Sequence, residues 1–70
     1  MEIYNGYYLN CVWQFKDRCR AVFLKQKIKE RFEDFQYIRD DCSWAIDGWG
    51  DSQQLAIEDA KRRIDKFELD

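Results

Sequence analysis

The last third of the chain, residues 48–67, constrains the fold more than any other segment. It opens with Gly-Trp-Gly at 48–50, and either Asp51 or Ser52 then supplies a side chain that can cap a helix N terminus. Beyond the cap, apolar residues recur at steps of three and four, which is the period of an amphipathic helix. They are Ile57, Ala60, Ile64 and Phe67. We therefore predict a C-terminal helix over residues 53–67 that buries this stripe.

Residues 7–15 carry the clearest strand pattern. Every second residue is apolar, and strict alternation of this kind places the apolar set on one face of a strand. The set is Tyr7, Leu9, Cys11, Trp13 and Phe15, with Val12 as an apolar exception on the other face. Asn5-Gly6 predicts a turn before the strand, and residues 16–18 predict a hairpin tip after it.

Two further strands are predicted. Residues 20–28 can pair back on the first strand, with Val22, Leu24 and Ile28 toward the core, although the apolar spacing also fits a helix. Residues 43–48 form a short strand with Trp44 and Ile46 on one face. Residues 30–40 fit either a short helix or another strand.

Together these elements indicate an α+β fold in which a small antiparallel sheet of three to four strands packs on the C-terminal helix. The 70 residues make one domain, 1–70, and five Phe, four Tyr and three Trp supply its core. Three cysteines are an odd number for a disulfide framework, so we expect reduced thiols. No apolar run is long enough to cross a bilayer, and the first residues do not show the pattern expected of a signal peptide. We expect a cytoplasmic protein without membrane contact.

Charge is divided along the chain although the net charge is −2. Residues 16–31 are rich in Lys and Arg, whereas residues 33–51 are rich in Asp and Glu. One interpretation is that either segment meets a partner of opposite charge. The other is that the two segments neutralise each other in cross-strand pairs or are simply solvated.

The basic segment suggests nucleic acid as an alternative partner. A row of cations on one strand face could follow a phosphate backbone, and it comprises Lys25, Lys27, Lys29 and Arg31. The acidic pI of about 5.1 argues against a dedicated nucleic-acid-binding domain.

Some aromatic and acidic residues fall outside the predicted core and are candidates for a contact surface with another protein. Aromatic side chains are common anchors in interfaces, although a loop tryptophan can equally close the edge of a small core. The candidates are Tyr8, Trp49, Asp40, Asp41 and Asp47.

The sequence contains no pattern typical of catalysis, metal binding or cofactor binding. The chain has no histidine, so it lacks the usual base of Ser-His and Cys-His pairs. The aspartates fit turns and caps better than a cation site, and Gly48-x-Gly50 lacks the third glycine of a dinucleotide motif and is interpreted as a turn. We expect no enzymatic activity, cofactor or metal.

The close of the chain carries a resemblance. Gly48-Trp49-Gly50-Asp51-Ser52, followed by Ala56, Ala60-Lys61 and Ile64-Asp65, resembles the strand–turn–helix ending of many small phage and prophage proteins. It is also similar to the strand-to-helix segment of HicB-type antitoxins. The resemblance implies an accessory protein of a mobile element and transfers no functional residue.

These observations favour a small non-enzymatic protein-interaction module, phage- or prophage-encoded, that binds and modulates or inhibits a host or defence complex. Homodimerisation through an open strand edge is a further alternative.

Overall fold

A computed structural model describes residues 2–25 and 45–69 of the chain. Within them lies a four-stranded antiparallel sheet in the order β1-β2-β3-β4, with one helix after it in the sequence. The strands are β1 (Ile3–Tyr4), β2 (Tyr7–Gln14), β3 (Cys19–Leu24) and β4 (Ala45–Gly50), and the helix is α1 (Gln53–Leu69). This confirms the predicted α+β fold, in which α1 packs mainly against β4 and β3.

Both predicted turns are present. Asn5 and Gly6 have φ values of 50° and 85°, and two consecutive residues of positive φ make the two-residue turn that suits the twist of a β-hairpin. This turn joins β2 to β1, a two-residue strand that the sequence pattern did not predict. At the other end of β2, the backbone N–H of Phe15 donates to the carbonyl of Arg18 at 2.8 Å and closes the hairpin tip.

The prediction that every second residue of β2 shares one face is wrong. The pairing of β2 with β3 shifts between Leu9 and Cys11, which leaves Asn10 as an extra residue. Since side chains alternate along a strand, one extra residue moves every later side chain to the opposite face. Tyr7, Leu9 and Val12 therefore pack in the cluster beneath α1. Cys11 and Trp13 lie on the other face of the sheet.

The sheet buries side chains on both faces, which corrects the prediction for β3. Val22 and Leu24 were expected to face the helix-covered core, but they belong to a cluster with Ala45 on the opposite face. Ala21 and Phe23 point toward α1 instead. All four β3 residues are fully buried.

Helix α1 agrees with its prediction and extends two residues further. Of the two cap candidates, Ser52 caps the helix, because its Oγ accepts a hydrogen bond from the backbone N–H of Leu55 at 3.2 Å. The helix buries Ala56, Ala60 and Ile64 completely, whereas the stripe members Ile57 and Phe67 are partly buried against the same cluster.

Gly48 and Gly50 lie inside strand β4, so their interpretation as a turn is wrong. A Cβ atom added to Gly48 would come 2.1 Å from the backbone nitrogen of Ala60 and 2.5 Å from the carbonyl oxygen of Ala56. A Cβ on Gly50 would come 2.7 Å from the backbone nitrogen of Ala56. The glycines thus allow the backbone of the helix to lie directly on the strand.

Some predictions fall on residues 26–44, which lie outside the described ranges. They are the end of the strand predicted for 20–28, the open choice for 30–40, and the position of Trp44. Among the residues described, no helix has the length and apolar character needed to cross a membrane.

Candidate interaction surface

A group of aromatic and arginine side chains lies where the tip of the β2–β3 hairpin meets the end of β4. The strand register places Arg20 directly opposite Trp49. The ring of Phe15 lies 5.6 Å from the Trp49 ring, centroid to centroid. The Cζ atoms of Arg18 and Arg20 lie 4.2 Å and 5.0 Å from the centroid of the same indole. We call Phe15, Arg18, Arg20 and Trp49 the tip cluster.

The tip cluster is half open to solvent. Trp49 is partly buried beneath its neighbours, whereas Phe15 keeps 45% of its surface exposed and Arg18 is exposed. Contacts between a cation and an aromatic ring at these distances hold both groups in place. Trp49 therefore closes the end of the sheet and at the same time supports an exposed ring and an exposed guanidinium beside it.

Asp47, one of the predicted contact residues, is buried behind the tip cluster at 7% exposure. Its Oδ2 lies 2.6 Å from Nε of Arg20, and its Oδ1 lies 3.4 Å from Arg63. The carboxylate is thus neutralised inside the protein. At this pair the basic and acidic segments of the chain do neutralise each other, as one of the two charge interpretations predicts.

The other predicted contact residues do not join Trp49. Tyr8 is partly buried near the start of β2, where it pairs with Ile3 and Leu24, at the end of the sheet away from the tip cluster. Asp40 and Asp41 lie outside the described residues.

The predicted row of cations is described at one position. Lys25 is exposed, and its Nζ lies 3.6 Å from a carboxylate oxygen of Glu68 and 5.6 Å from the centre of the Tyr7 ring. Lys27, Lys29 and Arg31 lie outside the described residues. Lys25 therefore already has a partner at the C-terminal end of α1.

The helix bonds to the outer edge of β4 at Trp49. The backbone N–H of Trp49 donates to Oδ2 of Asp59 at 2.9 Å. Asp59 also holds Arg62, three residues further along α1, at 3.3 Å. A strand edge whose N–H is already bonded does not recruit another strand there. Among the residues that the structure describes, the exposed Phe15 and Arg18 of the tip cluster remain accessible to a partner at this end of the sheet.

Sequence reasoning identified Trp49 but missed Phe15 and Arg18. Phe15 was assigned to the core by the alternation that the bulge interrupts. Arg18 was counted as part of a charged segment. Their proximity to Trp49 depends on the pairing of β3 with β4, which no local pattern reveals.

A second polar group ties the N-terminal hairpin to the end of α1. The hydroxyl of Tyr4 donates to both carboxylate oxygens of Asp65, at 2.9 and 2.8 Å, and the hydroxyl of Tyr7 donates to Glu68 at 2.8 Å. The hydrogen bond from Tyr4 to the Asp65 carboxylate raises the pKa of that phenol. Burial, together with the Glu68 carboxylate, raises the pKa of Tyr7 to about 12. Both phenols are thus held in the protonated, donating form.

We expect the raised pKa of Tyr7 to make the fold sensitive to alkali. Between pH 10 and about 12 the folded state keeps a proton that the unfolded state releases, so stability falls as pH rises through this range. Tyr7→Phe should lose about 1 kcal/mol at neutral pH with the hydroxyl bond. It should also show a shallower decline in melting temperature above pH 10 than the natural chain.

Tyr8→Phe is the matched control, because Tyr8 lies next along the strand on the opposite face. Because this variant keeps Tyr7 and its bond to Glu68, its melting temperature should decline above pH 10 as steeply as that of the natural chain. Equal alkaline slopes for Tyr7→Phe and the natural chain would contradict the prediction.

The described residues contain no group of three or more Cys, Asp or Glu side chains that could hold a metal ion. The side chains of the tip cluster are a stacked indole, a phenyl ring and guanidinium groups, which suit binding through stacking, apolar contact and charge. No family model, curated protein or solved structure matches the chain.

Proposed function

We propose that this protein is a non-enzymatic protein-interaction module and that the tip cluster is its contact surface. The observation that supports this most directly is the exposed ring of Phe15 beside a Trp49 that two arginines and a strand register hold in place. Residues of these types, Trp, Phe and Arg, are enriched at the centres of protein interfaces. Because the group is fixed before binding, little conformational entropy would be lost on contact.

The positions of the side chains suggest a different role for each predicted contact residue. Trp49 stays central, and Phe15 and Arg18 join it. Asp47 acts behind the surface by fixing Arg20, which in turn contacts the indole. Tyr8 would belong to a separate contact, since it lies at the far end of β2.

We further propose that the module is phage- or prophage-encoded, works in the cytoplasm, and modulates or inhibits a host or defence complex. The support for this setting is the resemblance of residues 48–65 to the endings of small phage and prophage proteins. The small size of the chain suits a role in which one protein occludes a surface of another.

Photo-crosslinking tests the contact surface. A photoreactive phenylalanine at position 15 replaces a ring that is 45% exposed, so it should not disturb the fold. In lysate of the source cells we expect it to form a crosslink to a defined protein, identified by mass spectrometry and then reproduced with that protein in purified form. The same probe at position 3, which is 57% exposed and lies away from the tip, should give none.

Variants then decide whether the tip cluster carries the affinity. Phe15→Ala and Trp49→Ala should each weaken the purified complex by about tenfold or more, as truncation of an interface anchor does, whereas Ile3→Ala should not. A complex that binds equally well with all three variants would place the interface elsewhere on the protein.

The nucleic-acid alternative has its own signature. Binding through phosphates weakens steeply as salt rises and is reduced when lysines are removed. A mobility shift that is lost on combined Lys25→Glu, Lys27→Glu and Lys29→Glu, and is indifferent to Phe15→Ala, would favour that function over the proposed one.

A further inference from the structure

We infer that the tip cluster recognises a short protein segment in which an Asp or Glu lies next to an aromatic or aliphatic side chain. This inference rests on the proposed function and names the chemistry of its partner. In this arrangement Arg18 would bind the carboxylate and Phe15 would receive the apolar side chain.

The guanidinium of Arg18 keeps hydrogen-bond donors that its contacts within the described residues do not use. It lies 4.2 Å from the Trp49 ring centroid, and in the described ranges 2–25 and 45–69 no carboxylate lies within ion-pair distance of it. Arg20, by contrast, is bonded to Asp47. A guanidinium has five N–H donors, and contact with one ring cannot use them all. Arg18 therefore remains able to bind a carboxylate with two parallel hydrogen bonds.

The exposed ring of Phe15 forms an apolar surface beside Arg18. Phe15 and Arg18 are the two ends of the hairpin tip and are joined by the hydrogen bond from Phe15 N–H to the Arg18 carbonyl. Both side chains contact the same indole. A partner that reaches Arg18 thus meets the half-exposed Phe15 ring at once, which favours a carboxylate beside an apolar group over a carboxylate alone.

The charged residues at the hairpin tip balance each other. Asp17 precedes it in the tip, and Asp51 follows Gly50, which pairs with Cys19 next to Arg18. The two acids offset Lys16 and Arg18, so the tip has no excess of positive charge. A single carboxylate needs only one cation, whereas an extended chain of phosphates gains its affinity from several cations and is repelled by nearby acids. The charge pattern therefore favours a peptide over a nucleic acid.

Titrations followed by amide and indole NMR shifts test this inference. The probes are short synthetic peptides in a Gly-Ser background that present Glu next to Phe, Trp or Leu, each with a twin that carries Gln in place of Glu. A thymidine oligonucleotide is the third probe. We expect shift changes at the amides of residues 15–18 and at the Trp49 indole, and binding about tenfold tighter for the Glu peptides than for their Gln twins.

Three variants connect the result to the tip cluster. Arg18→Gln should remove the preference for Glu over Gln, and Arg18→Lys should retain part of it, because lysine keeps the charge but not the paired donors. Lys66→Gln removes one exposed cation at the last turn of α1 and should change nothing. The amide spectrum of each variant reports directly whether it is folded.

Several results would overturn the inference. These are equal binding of Glu and Gln peptides, shift changes outside the tip, absence of binding by every peptide, or tighter binding of the oligonucleotide than of any peptide at the same residues. The crosslinking result at position 15 is independent of the peptide composition. A crosslinked partner without a preference for Glu peptides would therefore reject the recognition chemistry and leave the proposed function standing.

Discussion

Gly48→Ala is expected to destabilise the protein by about 3 kcal/mol, the upper part of the range for overpacked cores. The added methyl group would come 2.1 Å from the nitrogen and 2.6 Å from the Cα of Ala60, and 2.5 Å from the oxygen of Ala56. These are backbone atoms of α1, so no rotation of a side chain relieves the contact. The helix has to move away from β4 and open the packing of the fully buried Ile64.

The loss is large for a chain of this size. A domain of 70 residues has a total stability of about 4–10 kcal/mol. A decrease of about 3 kcal/mol should lower the melting temperature by roughly 12–24 °C. Thermal and urea unfolding followed by circular dichroism measure both quantities.

Two comparisons separate the steric cause from others. Gly48 does not have positive φ, so alanine can adopt its backbone conformation. The effect of the substitution on backbone entropy alone would therefore be neutral or stabilising. Gly6→Ala tests backbone strain without steric overlap, because Gly6 has a φ of 85° and no atom lies within 4 Å of the new Cβ. It should cost about 1–2 kcal/mol.

Ala60→Gly provides the sharper test. It deletes the side chain of Ala60 but leaves the backbone nitrogen that the new methyl group meets, so it should not rescue Gly48→Ala. Recovery of stability in the double variant, or a melting temperature for Gly48→Ala equal to that of the natural chain, would show that the helix backbone does not lie as close to β4 as described.

The parts of the fold that could be predicted from the sequence are those with local causes. The stripe of α1 needs only the 3.6-residue period, and the cap needs only a serine before it. The turn at Asn5-Gly6 needs only residues that accept positive φ. Each signal is contained in a few consecutive residues and is therefore visible without knowledge of the rest of the chain.

The faces of β2 could not be predicted, because the sheet buries apolar residues on both sides. When both faces are apolar, alternation loses its power to say which face meets the helix. Val12, the apparent exception, was the one trace of the bulge: its apolar side chain belongs to the helix side once Asn10 is skipped. The position of the β4 glycines inside a strand could not be predicted for a related reason. A glycine required for close approach looks in sequence like a glycine required for a turn.

The candidate site was predictable in part for the same reasons. An exposed-looking Trp49 between two glycines is visible in the sequence. Its neighbours Phe15 and Arg18 come from a hairpin far away in the chain and reach it through the pairing of β3 with β4. The division of charge along the sequence indicates that basic and acidic residues can pair, but it does not indicate which of them are buried. The sequence predicts Asp47 to be a surface acid, but it is buried in an ion pair with Arg20 of the neighbouring strand.

Asp47→Ala is the second substitution for which we expect a large effect, a loss of about 3 kcal/mol. The side chains of Arg20 and Asp47 are 12% and 10% exposed. When the carboxylate of a desolvated ion pair is removed, the buried cation loses that countercharge, which typically costs about 3–5 kcal/mol. The Trp49 ring, 5.0 Å from Arg20, offsets part of that cost, so the lower end applies.

Arg62→Ala is the matched control for Asp47→Ala. The pair of Arg62 with Asp59 has a similar chemical nature, but its side chains are 71% and 31% exposed. Pairs in water contribute little, so the loss should stay within about 0.5 kcal/mol. The contribution of the exposed pair should also fade as salt rises, whereas that of the buried pair should change little.

The Arg20→Met, Asp47→Leu double variant tests whether burial of charge is the cause. Replacement of both members of a buried ion pair by apolar residues of similar size is often nearly neutral, so the double variant should recover most of the stability that Asp47→Ala loses. Arg63 is 47% exposed at its side chain and can turn to solvent when Asp47 is replaced. If instead Asp47→Ala cost no more than Arg62→Ala, the ion pair would be hydrated and Asp47 would be available to a partner. If the double variant were less stable than Asp47→Ala, the two side chains would contribute hydrogen bonds that apolar packing cannot replace.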